Sequence, residues 1–144
     1  MRILVIDDEP DVLLLCRVNL EFAGHEVVDA TDTYRGMELA AKQQPDIIVL
    51  DVMLPKRDGL SMLRELRENP KTEDIPVVLL TAKTQGADQF MGFQAGADEY
   101  VTKPFSPAVL TKTVETVFRM SSEERAASRE RALAQLDAFR DDPS

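Results

Sequence analysis

Four short apolar runs in this sequence each lead to residues suited to phosphate or metal chemistry. Ile3-Leu4-Val5-Ile6 runs into Asp7-Asp8-Glu9, and Ile47-Ile48-Val49-Leu50 into Asp51. Val77-Val78-Leu79-Leu80 runs into Thr81, and Tyr100-Val101-Thr102 into Lys103-Pro104. Apolar, β-branched runs without alternation are the pattern of strands buried on both faces of a parallel sheet. The carboxyl ends of such strands share one edge, and ligands bind there. Residues distant in sequence therefore converge as an acid cluster, a hydroxyl and one lysine. Clustered carboxylates suit a hard divalent cation, and the lysine suits a phosphoryl oxygen.

Helix signals fill the intervals between these runs. Pro10 stands where a first helical residue belongs, and Gly24 can close that helix. Between them Val12, Leu13, Leu15, Val18 and Phe22 form an expected apolar face. Val27-Val28 is a short second strand. Thr31 or Asp32 caps a second helix carrying Met37, Leu39 and Ala40, which stops before Pro45. A third helix follows Gly59, with Leu60, Leu63 and Leu66 at helical spacing, and 70–76 is a polar loop. A fourth helix, around Gln85 to Ala95, contains Gly86 and Gly92. Glycine is a poor helix former, so this helix is the expected place for motion. Ser106 is the expected cap of a fifth helix that starts at Pro107 and turns Val109, Leu110, Val114, Val117 and Phe118 inward.

The expected fold is α/β: a doubly wound, five-stranded parallel sheet with five flanking helices and a C-terminal extension helix. Right-handed crossovers and burial of both faces favour this architecture. The flavodoxin-like order 2-1-3-4-5 places a crevice between strands 1 and 3, which carry Asp7-Asp8 and Asp51. The domain is expected over residues 1–120, and the extension over 121–144. Ser121-Ser122-Glu123-Glu124 reads as a capping box, followed by a charged helix from Arg125 to Arg140 with a thin stripe of Leu133, Leu136 and Phe139. That helix is marginal alone, so the stripe is expected to pack on the domain or on a second copy.

A chain of 144 residues with 44% hydrophobic content suits one globular core. No stretch is long and apolar enough to span a membrane, and a strand beginning at Met1-Arg2-Ile3 leaves no room for a signal peptide, so a cytoplasmic location is expected. A single cysteine, Cys16, in an apolar helical stretch fits a buried thiol in a reducing compartment. The net charge of −9 argues against direct nucleic-acid binding, which needs a basic surface. His25, the sole histidine, reads as a turn residue before strand 2.

Taken together and in order, these features resemble the receiver domain of two-component response regulators, over roughly residues 1–119. The residues that carry the resemblance are Asp7-Asp8, Asp51, Met53-Leu54-Pro55 with Asp58-Gly59, Thr81-Ala82, Gly96-Ala97-Asp98-Glu99-Tyr100 and Lys103-Pro104-Phe105. The resemblance implies a signalling domain rather than an enzyme, with at most self-phosphorylation and autodephosphorylation. Asp51 matches the phospho-acceptor, loaded by a histidine kinase or phosphotransfer protein. Asp8, Asp51 and the backbone carbonyl of Met53 match direct Mg2+ ligands, and Asp7 a ligand acting mainly through water. Lys103 matches the lysine that pairs with phosphoryl oxygens, and its bond to Pro104 is often cis in the family. Thr81 and Tyr100 match a switch pair, in which the hydroxyl follows the phosphoryl group and the tyrosine turns inward.

The implied output is a downstream protein or a self-dimer on the face of helix 4, strand 5 and helix 5, around Gln89, Phe93, Tyr100 and Thr111. A charged network recurs in family members that dimerise there, and this chain has Gln89, Val109 and Thr113 at its sites. Met53 and Lys83 fall where the family tunes dephosphorylation. Residue by residue, plainer roles remain open: Asp8 as a helix cap, Lys103 as a solvated lysine, Tyr100 as a fixed surface aromatic. A haloacid-dehalogenase-type phosphatase also uses a strand-end Asp, but it needs a second Asp two residues on, where Met53 stands. A flavin carrier needs a phosphate loop after strand 1 that is missing here. The chain also fits the N-terminal part of a multidomain regulator.

Overall fold

The structure is a computed structural model that describes residues 1–54, 58–82 and 85–139. The described residues form a parallel sheet of β1 (Arg2–Ile6), β2 (Glu26–Ala30), β3 (Ile47–Asp51), β4 (Val77–Thr81) and β5 (Glu99–Thr102), in the order β2-β1-β3-β4-β5. This is the expected order. β1, β3 and β4 are buried almost throughout, as strands sealed on both faces must be.

Helices α1 (Pro10–Phe22), α2 (Thr33–Gln43), α3 (Gly59–Glu68), α4 (Gly86–Ala95) and α5 (Pro107–Arg119) alternate with the strands. They divide the core into two layers. Leu4, Ile6, Leu50 and Leu79 face Met62, Leu63 and Leu66 on one side of the sheet. Ile3, Val5, Val49 and Leu80 face Cys16, Leu20, Leu110 and Val114 on the other. Asp32 and Asp58 cap α2 and α3 by accepting from Arg35 N–H and Ser61 N–H, each at 2.8 Å.

Three expectations need correction. On α1 the face turned to the sheet is Leu13, Cys16 and Leu20, while Leu15, Val18 and Phe22 point to solvent, Phe22 with 92% of its surface exposed. The helix carries two apolar stripes, and one sheet face takes only one. On α5, Leu110, Val114 and Val117 are buried, but Val109 and Phe118 are exposed. Ser106 stands at the N-cap of α5, yet among the described residues its side chain makes no capping bond.

The extension forms α6 (Ser122–Leu136) and a short 3-10 turn, α7 (Asp137–Phe139). Ser121 and Glu124 form the expected reciprocal cap, with the Ser121 hydroxyl accepting from Glu124 N–H and the Glu124 carboxylate from Ser121 N–H. The helix thus begins three residues before Arg125. Arg140, the expected last residue, lies outside the described residues. α6 packs against α4, with Leu133 and Leu136 half-buried.

Candidate functional site

The parallel register fixes the site. Ile6 lies beside Leu50, so Asp7 and Asp51 emerge side by side at the ends of β1 and β3. Thr81 and Thr102 are partners at the ends of β4 and β5, and Lys103 N–H donates to the Thr81 carbonyl at 2.9 Å. The Lys103-Pro104 peptide is cis, as the resemblance implied. Lys103 points into the crevice. Its Nζ lies 2.7 Å from Asp7 Oδ2, 3.1 Å from Asp51 Oδ2 and 3.2 Å from Glu9 Oε1.

Asp7, Asp8, Glu9 and Asp51 each place one carboxylate oxygen within 4.8 Å of the others. Asp7 and Asp51 are buried, while Asp8 and Glu9 are exposed. Among the described residues, four acids share the crevice with the Lys103 ammonium. Burial, seconded by the Asp51 charge, holds the Asp7 carboxyl above its ordinary range despite Lys103 and the Glu9 N–H. Burial works against the Lys103 ammonium, but bonding to Asp7 and the charges of Asp51 and Asp7 outweigh it, so its pKa rises.

These features fit a hard divalent cation. Asp7 Oδ2 is buried and is met at 2.7 Å by the Lys103 ammonium. An all-oxygen donor set with exposed Asp8 at the rim suits Mg2+, which keeps several waters. Asp8 does not cap α1, since Glu9 holds that position.

Backbone contacts hold Asp51 in place. Its Oδ1 accepts from Met53 N–H at 2.9 Å. Gly59 N–H donates to the Val52 carbonyl at 2.9 Å, and a Cβ at Gly59 would run into the Asp51 carbonyl oxygen. Only glycine permits this approach of α3 to the end of β3. The Met53 side chain is exposed at the mouth beside Asp8 and Asp58. Pro55 and Lys83, both singled out from the sequence, lie outside the described residues.

Thr81 is fully buried, and its side chain is hydrogen-bonded to Tyr100. Tyr100 is half-buried against the core. Burial pushes its phenol up to about 12, with Asp88 adding to the shift and the Thr81 bond opposing it. His25 is less peripheral than a turn residue. Its Nε2 lies 2.9 Å from Glu115 Oε2 and its Nδ1 3.3 Å from the Met1 amine, which ties the N-terminus to α5.

Glu9, the third acid of its run, also belongs to the acid cluster. One group escaped sequence reasoning, a buried cluster around Asp98. Asp98 Oδ2 accepts from Arg67 Nη2 at 3.1 Å and from Val77 N–H at 2.9 Å. Its Oδ1 meets Arg129 and, at 3.5 Å, Arg125 Nε. No local pattern announces a carboxylate shared by α3 and α6.

A doubly wound sheet with an acid pair, a strand-end acid and an inward lysine at its switch point defines a phosphate-signalling α/β class of protein. The response regulator receiver domain matches residues 3–115, and the chain belongs to that family. It is 47% identical over 118 residues to the DNA-binding dual master transcriptional regulator RpaA of Synechocystis sp., covering 82% of this chain and 49% of that protein. It is 42% identical over 120 residues to the alkaline phosphatase synthesis transcriptional regulatory protein PhoP of Bacillus subtilis, covering 83% of this chain and 49% of that protein. The chain thus spans about half the length of the curated relatives it matches. Among solved structures, the BeF3-activated N-terminal receiver domain of Klebsiella pneumoniae RstA superposes with a TM-score of 0.77 at 31% identity, over 83% of this chain and 100% of that one. The chain is a receiver domain of two-component phosphorelay signalling. Among the described residues, no helix is long and apolar enough to cross a membrane.

Proposed function

We propose that Asp51 accepts a phosphoryl group from a histidine kinase or histidine phosphotransfer protein, and that this changes the surface offered to a partner. The observation that carries the reading is the convergence of Asp7, Asp8, Asp51 and Lys103 from three strand ends on one crevice. An Asp51 carboxylate oxygen bonds to phosphorus while the phosphorus–nitrogen bond of the donor imidazole breaks. The imidazole keeps the electron pair and takes up a proton, and Asp51 becomes an acyl phosphate. Lys103 Nζ, already 3.1 Å from Asp51 Oδ2, is within reach of the transferred oxygens.

Asp7, Asp8, Asp51 and the backbone carbonyl of Met53 would hold Mg2+. When bound, the ion neutralises charge shared by acceptor and phosphoryl group. Thr81 and Tyr100 are the switch pair: the Thr81 hydroxyl is the donor that a phosphoryl group at Asp51 recruits, and Tyr100 responds. The domain is a signalling element with at most self-phosphorylation and autodephosphorylation. Its place is the cytoplasm, which suits a lone buried thiol.

A second reading rests on length. The relatives are about twice as long, so the chain also suits the receiver half of a regulator whose other half is the output. Residues 1–120 are then the receiver, and 121–144 the start of the connection. The acidic charge keeps direct nucleic-acid contact outside this segment.

The test is labelling by radioactive acetyl phosphate with Mg2+. The parent incorporates label, and Asp51→Asn, Mg2+ omission or Asp8→Asn each abolish it. Equal labelling of Asp51→Asn refutes the assignment.

A further inference from the structure

Residues of α4 and β5 that the resemblance assigns to output are covered by the chain's own α6. Gln89, Phe93 and Tyr100 line one wall of a cleft of about 420 Å³, and Arg131, Gln135 and Leu136 of α6 line the other. The anchor lies at the near end of α6. Arg125 and Arg129, one helical turn apart, both reach Asp98, whose side chain is 1% exposed. Arg125 also donates to the Asp74 carbonyl at 2.9 Å. At the far end Phe139 lies against Gly86, the first residue of α4, so closely that a Cβ there would strike its ring. The two ends of the extension thus grip Asp98, just before β5, and the start of α4.

The seat is tied to the acid site. Tyr100 forms part of the cleft wall and is hydrogen-bonded to Thr81, which closes the strand next to Asp51. A phosphoryl group at Asp51 competes for the Thr81 hydroxyl. Once that hydroxyl leaves Tyr100, the wall on which α6 rests is no longer the same.

We infer that α6 is an intramolecular ligand of the α4–β5 face, held by the arginine pair on Asp98, and that phosphorylation of Asp51 weakens its docking. Any partner or second copy that uses this face must displace α6. The coupling rests on the acceptor reading above, whereas the docking does not. Coupling is reciprocal, so loosening α6 tightens binding of a phosphoryl mimic by the same factor.

Hydrogen exchange on the full chain separates the two. In the parent, peptides from 122–136 are protected independently of protein concentration. The variant Arg125→Ala/Arg129→Ala exchanges there about tenfold faster or more, with β1 and β3 unchanged. Beryllofluoride plus Mg2+ accelerates the same segment in the parent, and the variant binds beryllofluoride about fivefold or more tightly, the lower end of ordinary coupling. Unchanged α6 protection in the variant overturns the docking, as does protection that grows with protein concentration, which marks a second copy as the occupant. Beryllofluoride protection around Asp51 with α6 unmoved overturns the coupling alone. No response around Asp51 removes the acceptor reading and the coupling with it, while the variant's faster exchange still upholds the docking.

Discussion

The Lys103 ammonium stands 3.1 Å from Asp51 Oδ2, although 52 residues separate the two in the chain. The same nitrogen lies 2.7 Å from Asp7 Oδ2. One cation therefore offsets two buried acids, and their stabilities are linked through it.

Lys103→Met leaves both acids without that charge. The expected cost in metal-free protein is about 1–3 kcal/mol, the range for a stranded buried polar group. Thermal unfolding in a chelator checks it. An unchanged Tm means the lysine is solvated and plays no part in the cluster.

Asp7→Asn has the opposite sign. It removes a carboxylate that burial and Asp51 disfavour, while Lys103 keeps Asp51 and Glu9. Metal-free Tm at neutral pH should rise, by about 2–4 °C for each kcal/mol relieved in a chain of this size. Mg2+ should then stabilise the variant much less than the parent. A fall in metal-free Tm would show that the Lys103–Asp7 pair outweighs the repulsion.

Gly59→Ala forces a methyl group onto the Asp51 carbonyl oxygen and the backbone of Val52. Such overpacking costs about 1–3 kcal/mol. Urea unfolding measures it. Acceptance of phosphate should fall as well, because the displaced backbone is that of Asp51, the proposed acceptor.

Cys16 supplies a pH dependence. Burial lifts its thiol from 9.0 to about 12, with the charge of Asp7 adding to the shift. The folded state holds the proton more firmly, so this contribution is intact below pH 9.0 and is lost as pH climbs towards about 12. Between those limits the stability of Cys16→Ala should fall less steeply than that of the parent. At pH 9 iodoacetamide should alkylate the denatured chain and spare the folded one.

The strands and the polar residues at their carboxyl ends were legible because each depends on short-range pattern. A both-faces-buried strand shows as an unbroken apolar run, and its carboxyl end shows as the first polar residue, as at Ile6-Asp7 and Leu50-Asp51. The α1 face was misread because Leu15, Val18 and Phe22 share helical spacing with a second stripe, and periodicity does not say which stripe the sheet takes. The Asp98 cluster was hidden for a different reason. Arg67, Asp98, Arg125 and Arg129 meet only through tertiary packing, and each alone looks like an ordinary charged residue. The glycines of α4 also have packing partners that no local pattern announces: Gly86 lies under Phe139, and Gly92 is buried.

The most direct test of the acceptor claim is chemical trapping at the carboxylate. The chain is incubated with acetyl phosphate and Mg2+, then treated with borohydride, which reduces an aspartyl phosphate to homoserine. Mass spectrometry of the digested protein should find homoserine at position 51, with Asp7 and Asp8 intact, and none when Mg2+ is omitted. Homoserine at position 7 or 8 with residue 51 unmodified would contradict the account.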